Sequence, residues 1–246
     1  MDEKMLKTSW KQRLFIAIIA ALLLGSSIAV YVAIVLGANN TDYSSMTTSQ
    51  LETAYQSALD DLNARAAVLS SEHFENFSSY RSKVKAFNST TANSNGVQSK
   101  DLKEGDGEDL TDSNYSAYYI GYCSDETIFD SSFDDYDNPT SLSAPLVVEP
   151  NALIEGWYLG MDGAKVGTVR EITIPGSLAY GDSYEICGGY NTPLKFIVYT
   201  FPRDEEVSKL QDRLTEIYTA MYTAYAQQYS TIDYSDYETD AETSGE

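Results

Sequence analysis

The hydrophobic and polar positions divide the chain into segments of different periodicity, beginning with one long apolar run. Residues 14–37 form 24 consecutive positions without a charge; as a helix they would extend roughly 36 Å, enough to cross a bilayer. Basic residues precede this run and none occurs in residues 38–45, which predicts a cytoplasmic N-terminus (1–13) and residues 38–246 outside. A cleaved signal peptide is the alternative, but its apolar core is usually only about 7–15 residues long. We therefore interpret residues 14–37 as an uncleaved signal anchor.

Two further segments show helical spacing. After a polar linker at 38–48, apolar residues recur every three or four positions through 49–87, and Thr48 or Ser49 with Glu52 predicts a capped start. Two interpretations stay open for 49–87: a helix face packed on its own domain, or a stalk or dimerisation helix that lifts the following domain off the membrane. A second helix is predicted over 203–228, because acidic residues 204–206 suit a helix N-terminus. A homodimer through helices 49–87 and 204–228 is a partner hypothesis.

Between these helices the period changes to two. Residues 88–99 are predicted to be a linker, and 100–202 a β-rich domain with one short helix at Pro150–Gly156. The predicted strands are Ser116–Cys123, Leu146–Val148, Thr168–Ile174 and Leu194–Phe201. Residues 229–246 contain no basic side chain and are predicted to be an acidic, disordered tail. The fold class is therefore α+β.

Composition excludes several functions. Sixteen Lys and Arg against 37 Asp and Glu give a net charge of −21, a field that repels a phosphate backbone, so no nucleic-acid partner is expected. Two cysteines exclude a disulfide-rich small fold, and a single histidine, His73, argues against a histidine metal site or a histidine-based triad. We therefore expect neither a metal nor a cofactor.

Four stretches of the central domain carry a family resemblance. They are KEGDG at 103–107, YIGYCSDETIFDSS at 119–132, ALIEGWYLGMDGAKVGTVREITIPGSLAYG at 152–181 and TPLKFIVYTF at 192–201. In order and spacing they resemble the FKBP-type, macrolide-binding peptidyl-prolyl cis-trans isomerases. The resemblance implies a twisted antiparallel sheet wrapped on one short helix, here preceded by a transmembrane helix and a long helix and followed by a C-terminal helix.

The resemblance also implies a set of site residues and their roles. Trp157 would form the floor under the proline ring, with Phe129 and Phe196 as walls and Tyr119 at the edge. Tyr180 would donate to a substrate carbonyl, and Asp130 would be an acceptor that positions its neighbours. Leu153 and Ile154 would present an aliphatic side chain and a backbone N–H to the substrate. An ordinary β-domain core is the alternative explanation for aromatic residues at strand spacing.

The chain departs from the family pattern around the pocket. Asp135 stands where the family has an arginine, which removes the usual partner of the pocket carboxylate and adds like charge. Ala144 replaces a further aromatic residue, Ala152 replaces an acidic one, and the loop after Tyr180 is one residue shorter. These changes predict weak macrolide binding and leave the residue preference before proline open.

The two cysteines, Cys123 and Cys187, both fall within the resembling domain. Cys123 has the strand parity of Tyr119, and Cys187 lies in the loop that follows Tyr180. Outside the membrane an oxidised pair is permitted, so we hypothesise a disulfide that fixes the substrate loop; two buried free thiols are the alternative.

The functional expectation is a membrane-anchored foldase. It would isomerise X-Pro bonds of exported proteins at the outer face of a membrane, with unfolded or proline-containing polypeptides as clients. Two alternatives stay open: an FKBP-like binding or chaperone module with little turnover, and a helical scaffold in which the FKBP-like domain is only an accessory.

Overall fold

The structure is a computed structural model that describes residues 41–230, with side chains to residue 227. Of these, 62–209 form one compact unit, and 41–61 with 210–230 form another. The predicted cytoplasmic segment 1–13, the membrane segment 14–37 and the tail beyond residue 230 lie outside the described residues. Within 41–230, no helix combines the length and the apolar character needed to cross a bilayer.

An antiparallel sheet is the centre of the first unit. Its strands are β1 (Gln98–Lys103), β2 (Tyr115–Tyr122), β3 (Ile128–Ser131), β4 (Leu146–Val147), β5 (Val169–Ile174) and β6 (Leu194–Pro202). The order is β1-β5-β6-β2-β3, and β4 pairs with β2. Side chains alternate between the two faces, so that Tyr119 and Phe196 point to one face and Tyr118 and Tyr199 to the other. We call these the pocket face and the back face.

Helix α3 (Glu155–Met161) covers the pocket face. We predicted this helix at Pro150–Gly156, and it begins five residues later. The Tyr158 hydroxyl explains the shift, because it accepts from the backbone N–H groups of Ala152 and Leu153 at 3.0 Å and donates to the Glu149 carbonyl at 2.6 Å. The donors that would have begun a helix are thus satisfied in a loop. Gly156 allows the helix to approach β5 closely, since a Cβ there would lie 2.1 Å from Ile174 Cγ2.

The second half of helix α1 (Thr48–Ser78) covers the back face. Phe77 is fully buried, and its ring stacks on Phe133 at 5.4 Å between centroids, with Tyr118 and Tyr199 at 6.4 and 6.0 Å. The Ser70 hydroxyl oxygen accepts from the Leu142 N–H at 2.8 Å. For residues 62–78 the structure therefore supports a helix face packed on its own domain.

The ends of α1 differ from the prediction. Its capping pair is Thr47 and Gln50, whose backbone N–H groups donate to each other's side-chain oxygens, and not Thr48 or Ser49 with Glu52. The α-helix stops at Ser78 and continues as a 3-10 turn, Ser79–Lys83, short of residue 87.

The segment predicted as the linker 88–99 is structured. It contains the short helix α2 (Ser89–Ser94), whose cap is the Asn88 side chain accepting from the Thr91 N–H at 2.8 Å. Asn93 Oδ1 accepts from the Gly176 N–H, also at 2.8 Å, which fastens α2 to the domain. Strand β1 follows at Gln98, and its polar, largely exposed sequence gave no alternating signal.

The second unit contains two α-helical segments, residues 48–61 of α1 and residues 210–230 of α4 (Glu205–Ser230), and a 3-10 turn at Tyr43–Ser45. Its buried side chains are Leu51, Ala58, Leu214, Glu216 and Ile217. The Tyr225 hydroxyl donates to Glu52 at 2.8 Å, and Arg213 pairs with Asp61 at 3.2 Å. Leu214 and Ile217 are thus buried within this unit, and the helix continues two residues beyond the predicted end at 228.

Candidate active site

Four elements bring four aromatic rings together on the pocket face. Tyr119 comes from β2, Phe129 from β3, Trp157 from α3 and Phe196 from β6. The ring centroids of Trp157 lie 5.5 Å from Phe196 and 5.9 Å from Tyr119, and Phe129 lies 5.6 Å from Phe196. The planes are steeply inclined, between 74° and 89°, the edge-to-face arrangement that aromatic pairs prefer. These residues, predicted from distant parts of the sequence, form one apolar cluster.

Trp157 is fixed at the base of the cluster. It is 3% exposed, and its indole Nε1–H donates to the Tyr115 hydroxyl at 3.0 Å. Burial raises the pKa of Tyr115 to about 12, so this hydroxyl stays protonated at neutral pH. The indole ring is therefore held in one orientation by a buried neutral hydrogen bond.

Gly121 lets the two phenylalanine rings approach the sheet. A Cβ at this position would lie 2.6 Å from the Phe129 ring and 2.9 Å from the Phe196 ring. Any larger residue here would push the Phe129 and Phe196 rings outwards, which explains why a glycine stands two residues after Tyr119.

Asp130 lies exposed at the rim and accepts a hydrogen bond from Tyr119. The Tyr119 hydroxyl donates to Asp130 Oδ2 at 2.5 Å. Burial, then the Asp130 charge, raises the pKa of Tyr119 well above its ordinary value. Burial also raises the pKa of Tyr180, and the Asp130 charge adds to that effect. Both tyrosines are therefore hydrogen-bond donors at physiological pH, and neither is a base.

The remaining predicted residues surround this cluster. Leu153, Ile154 and Tyr180 are partly buried and pack against the hydrophobic core that contains Trp157 and Phe196. The Leu153 N–H is already donated to Tyr158. This leaves Ile154, of that pair, as the better candidate to offer a backbone N–H to a ligand.

Asp135 does not act as its position in the sequence suggested. Its carboxylate accepts from the backbone N–H groups of Asp137 at 2.9 Å and Asn138 at 3.3 Å, within its own turn. Neighbouring Asp134 organises the same loop: burial raises its pKa, but hydrogen bonds from Thr140, Ser141 and Asp135 outweigh this and lower it to about 2. The expectation that Asp135 places like charge beside the pocket carboxylate therefore gains no support, because its carboxylate is engaged in the loop.

The structure joins Cys123 and Cys187 in a disulfide, with 5.6 Å between their Cα atoms. Cys187 and its neighbour Ile186 pack against the hydrophobic core that contains Trp157 and Phe196, from the loop that follows Tyr180. Sequence reasoning missed Ile186 as a candidate wall residue. The only signal was an apolar side chain within an otherwise polar loop, GDSYEICGGYN.

Comparisons with known proteins identify the family that the central domain matches. A family model for the FKBP-type peptidyl-prolyl cis-trans isomerases matches residues 111–199. An FK506-binding protein of Streptomyces anulatus is 36% identical over 86 residues, which cover 34% of this chain and 64% of that protein. An FK506-binding protein of Neisseria meningitidis serogroup B is 32% identical over 87 residues, covering 35% of this chain and 75% of that protein. The solved structure of AtFKBP13 is 25% identical, covers 44% of this chain and 93% of its own, and gives a TM-score of 0.35, too low to add weight.

The chain belongs to the FKBP-type peptidyl-prolyl cis-trans isomerase family, whose members catalyse proline isomerisation. The match spans less than two thirds of the Streptomyces anulatus relative. More than half of this chain lies outside residues 111–199, including helices α1 and α4.

Proposed function

We propose that this chain is a peptidyl-prolyl cis-trans isomerase that assists the folding of exported proteins at the outer face of a membrane. The observation that carries the activity is the aromatic cluster around the fixed indole of Trp157, bordered by the hydrogen-bonded pair Tyr119 and Asp130. Its clients would be unfolded or proline-containing polypeptides. Residues 14–37 would anchor it to the membrane.

The chemistry needs neither a nucleophile nor a proton transfer to a substrate atom. An X-Pro bond rotates over a barrier of roughly 18–20 kcal/mol, because amide resonance is lost in the twisted state. An apolar cradle favours the twisted amide, which is less polar than the planar one, and hydrogen bonds hold the adjacent backbone during rotation. Trp157, Phe129 and Phe196 would hold the proline ring, and the Tyr180 hydroxyl and the Ile154 N–H would bind neighbouring carbonyls.

Two observations support an extracytoplasmic location. Basic residues lie on the N-terminal side of residues 14–37, which favours an outside position for the domain. The disulfide between Cys123 and Cys187 is typical of an oxidising compartment.

The activity is tested on the full chain with Ala-X-Pro-Phe peptides, by magnetisation-exchange NMR without a coupling protease. We expect isomerisation well above the uncatalysed rate, and its loss in Trp157→Ala. Phe87→Ala is the matched control, because it removes an aromatic ring that contacts Tyr122 and Lys195 and lies outside the cluster. Near-ultraviolet circular dichroism verifies that both variants are folded. A folded wild-type protein with no rate enhancement would contradict the proposed activity.

The location is tested by cell-free synthesis with microsomal vesicles. We expect residues 38–246 to be protected from added protease and to sediment with the vesicles. Deletion of residues 14–37 should abolish both properties. Cleavage of the domain by external protease in sealed vesicles would refute the proposed topology.

A non-catalytic binding module is the second candidate, favoured by the altered loop around Asp135 and Ala144. It predicts that the chain binds proline peptides, that Trp157→Ala abolishes this binding, and that no rate enhancement accompanies it. A helical scaffold predicts that Trp157→Ala changes neither peptide binding nor partner assembly. Isomerisation and peptide binding, measured on the wild-type chain and on Trp157→Ala, therefore separate all three functions.

A further inference from the structure

The loop tip at residues 182–190 has few attachments to the rest of its domain. Its hydrogen bonds in the described structure are local: Ser183 donates to the Tyr180 carbonyl, Ile186 and Gly189 bond each other, and Thr192 Oγ1 donates to the Ile186 carbonyl. All of these bonds run within residues 180–192. They shape the loop without fastening its tip to the sheet.

The disulfide supplies the missing attachment. Cys123 is 4% exposed and follows β2, the strand that carries Tyr119, so the bond links the loop tip to the central sheet across 64 residues of sequence. Cys187 has φ 57° and Gly188 φ 77°, consecutive left-handed positions that turn the chain sharply between Ile186 and Gly189. A non-glycine residue in this region is disfavoured and persists where its surroundings hold it.

The disulfide lies next to two loop side chains, Ile186 and Tyr184, that stand beside the pocket. Ile186 precedes the bonded cysteine and packs against the cluster that contains Trp157 and Phe196. The ring of Tyr184, two residues earlier, lies 5.7 Å from that of Tyr180. Opening the disulfide would leave apolar contacts alone to hold these side chains beside the pocket.

We infer that the Cys123–Cys187 disulfide is a positioning element of the active site, and that its reduction loosens the pocket wall and weakens substrate binding. This inference rests on the proposed isomerase activity. The reductant is a dithiol: its two thiols attack in succession, the sulfur–sulfur bond accepts two electrons and two protons, and the dithiol becomes a cyclic disulfide. Isomerisation itself involves no redox step, so the effect would act through loop geometry.

The test uses the full chain in three forms: oxidised, reduced with dithiothreitol, and the double variant Cys123→Ser/Cys187→Ser. We expect KM for Ala-X-Pro-Phe peptides to rise about threefold or more in the reduced form, with kcat changed less than about twofold. The double variant should behave like the reduced protein and should not respond to dithiothreitol. Mass spectrometry after alkylation counts the free thiols in each form.

Hydrogen exchange supplies a readout independent of activity. We expect amides 182–190 to exchange faster after reduction, while β5 and β6 remain protected. Equal KM in all three forms, with two free thiols demonstrated in the reduced form, would overturn the inference. Faster exchange across the whole domain would also overturn it, because it would indicate a merely structural bond. If the oxidised protein does not catalyse isomerisation, the proposed function fails; unchanged exchange at 182–190 would overturn the loop attachment separately.

Discussion

The two faces of the sheet carry similar residues but are used differently. The back face has Tyr118, Tyr199 and Phe201, all buried beneath α1, where Phe77 and His73 stack on them. The pocket face has an equally aromatic set, but Tyr119, Phe129 and Tyr180 stay partly exposed around Trp157. Aromatic content therefore does not mark the site. The candidate site is the face on which Tyr119, Phe129 and Tyr180 remain only partly buried beside the short helix α3.

The back face of the sheet depends on α1 for its cover. Residues 95–203 include the whole sheet but lack α1, so an isolated fragment of this length would expose the rings that α1 covers. We expect such a fragment to be destabilised or to aggregate, and a missing activity in it would say nothing about the pocket.

The largest expected effect separates the faces by stability. Phe77→Ala removes a fully buried ring from the back face, and we expect the free energy of unfolding to fall by about 3–5 kcal/mol. Val68→Ala, on the same helix at 45% exposure, should change it by less than about 0.5 kcal/mol. Urea titration of both variants gives the comparison. Equal destabilisation would mean that α1 does not cover the sheet through Phe77.

The converse change separates the faces by activity. Phe129→Ala removes a partly exposed pocket wall, so kcat/KM should fall about tenfold or more, equivalent to about 1.4 kcal/mol of transition-state stabilisation. Its effect on unfolding should be smaller than that of Phe77→Ala. Peptide kinetics and urea titration on the same preparations measure both effects. Unchanged kcat/KM in this variant would show that Phe129 does not belong to the site.

A smaller effect is expected from the rim. Tyr119→Phe deletes the hydroxyl that donates to Asp130 but keeps the ring in the cluster. We expect kcat/KM to fall about threefold to tenfold, because the carboxylate loses the hydrogen-bond donor that orients it at the rim. Since the pKa of Tyr119 is raised, the wild-type kcat/KM should not change between pH 6 and 9 through ionisation of this tyrosine. A change in that range that disappears in Tyr119→Phe would show that the hydroxyl titrates.

The smallest effect concerns pH and the back face. Burial lowers the pKa of His73, opposed by the Glu72 charge, and its Nδ1 lies 3.1 Å from the Tyr199 hydroxyl. The unfolded state therefore binds a proton more readily than the folded state. This contribution to stability is fully present above the unfolded pKa of about 6.5 and declines as the pH falls from there towards the lower folded value.

Urea titrations between pH 7.5 and 5 measure that decline, with His73→Gln as the matched variant. The difference between wild type and variant should shrink as the pH falls. Asp134 and Asp204, whose pKa values are lowered below the ordinary 3.8, titrate in a more acidic range and affect both proteins alike. A pH-independent difference would show that His73 is not shielded by its position between α1 and the sheet.

The family resemblance predicted the central domain and a set of aromatic residues, and the structure brings four of these together on one face of the sheet. Tyr119, Phe129, Trp157 and Phe196 could be assigned because the spacing of four stretches matched a family over about 100 residues. Strands β2, β5 and β6 were predicted within one residue at each end. A strand buried in a core is rich in apolar residues, and this pattern is visible in the local sequence. The polar strand β1 and the displaced start of α3 were missed, since an edge strand and a tyrosine hydroxyl that caps a loop leave no periodic signal.

What covers the aromatic residues of the back face could be learned only from the folded chain. An apolar stripe on α1 predicts that something covers it, but the stripe alone does not distinguish a partner helix from the back of the same domain. Likewise, Asp135 looked like a pocket charge until its carboxylate was found bound to its own turn. Both outcomes depend on contacts between residues far apart in the chain or on loop geometry, which are properties of the folded backbone and not of local composition.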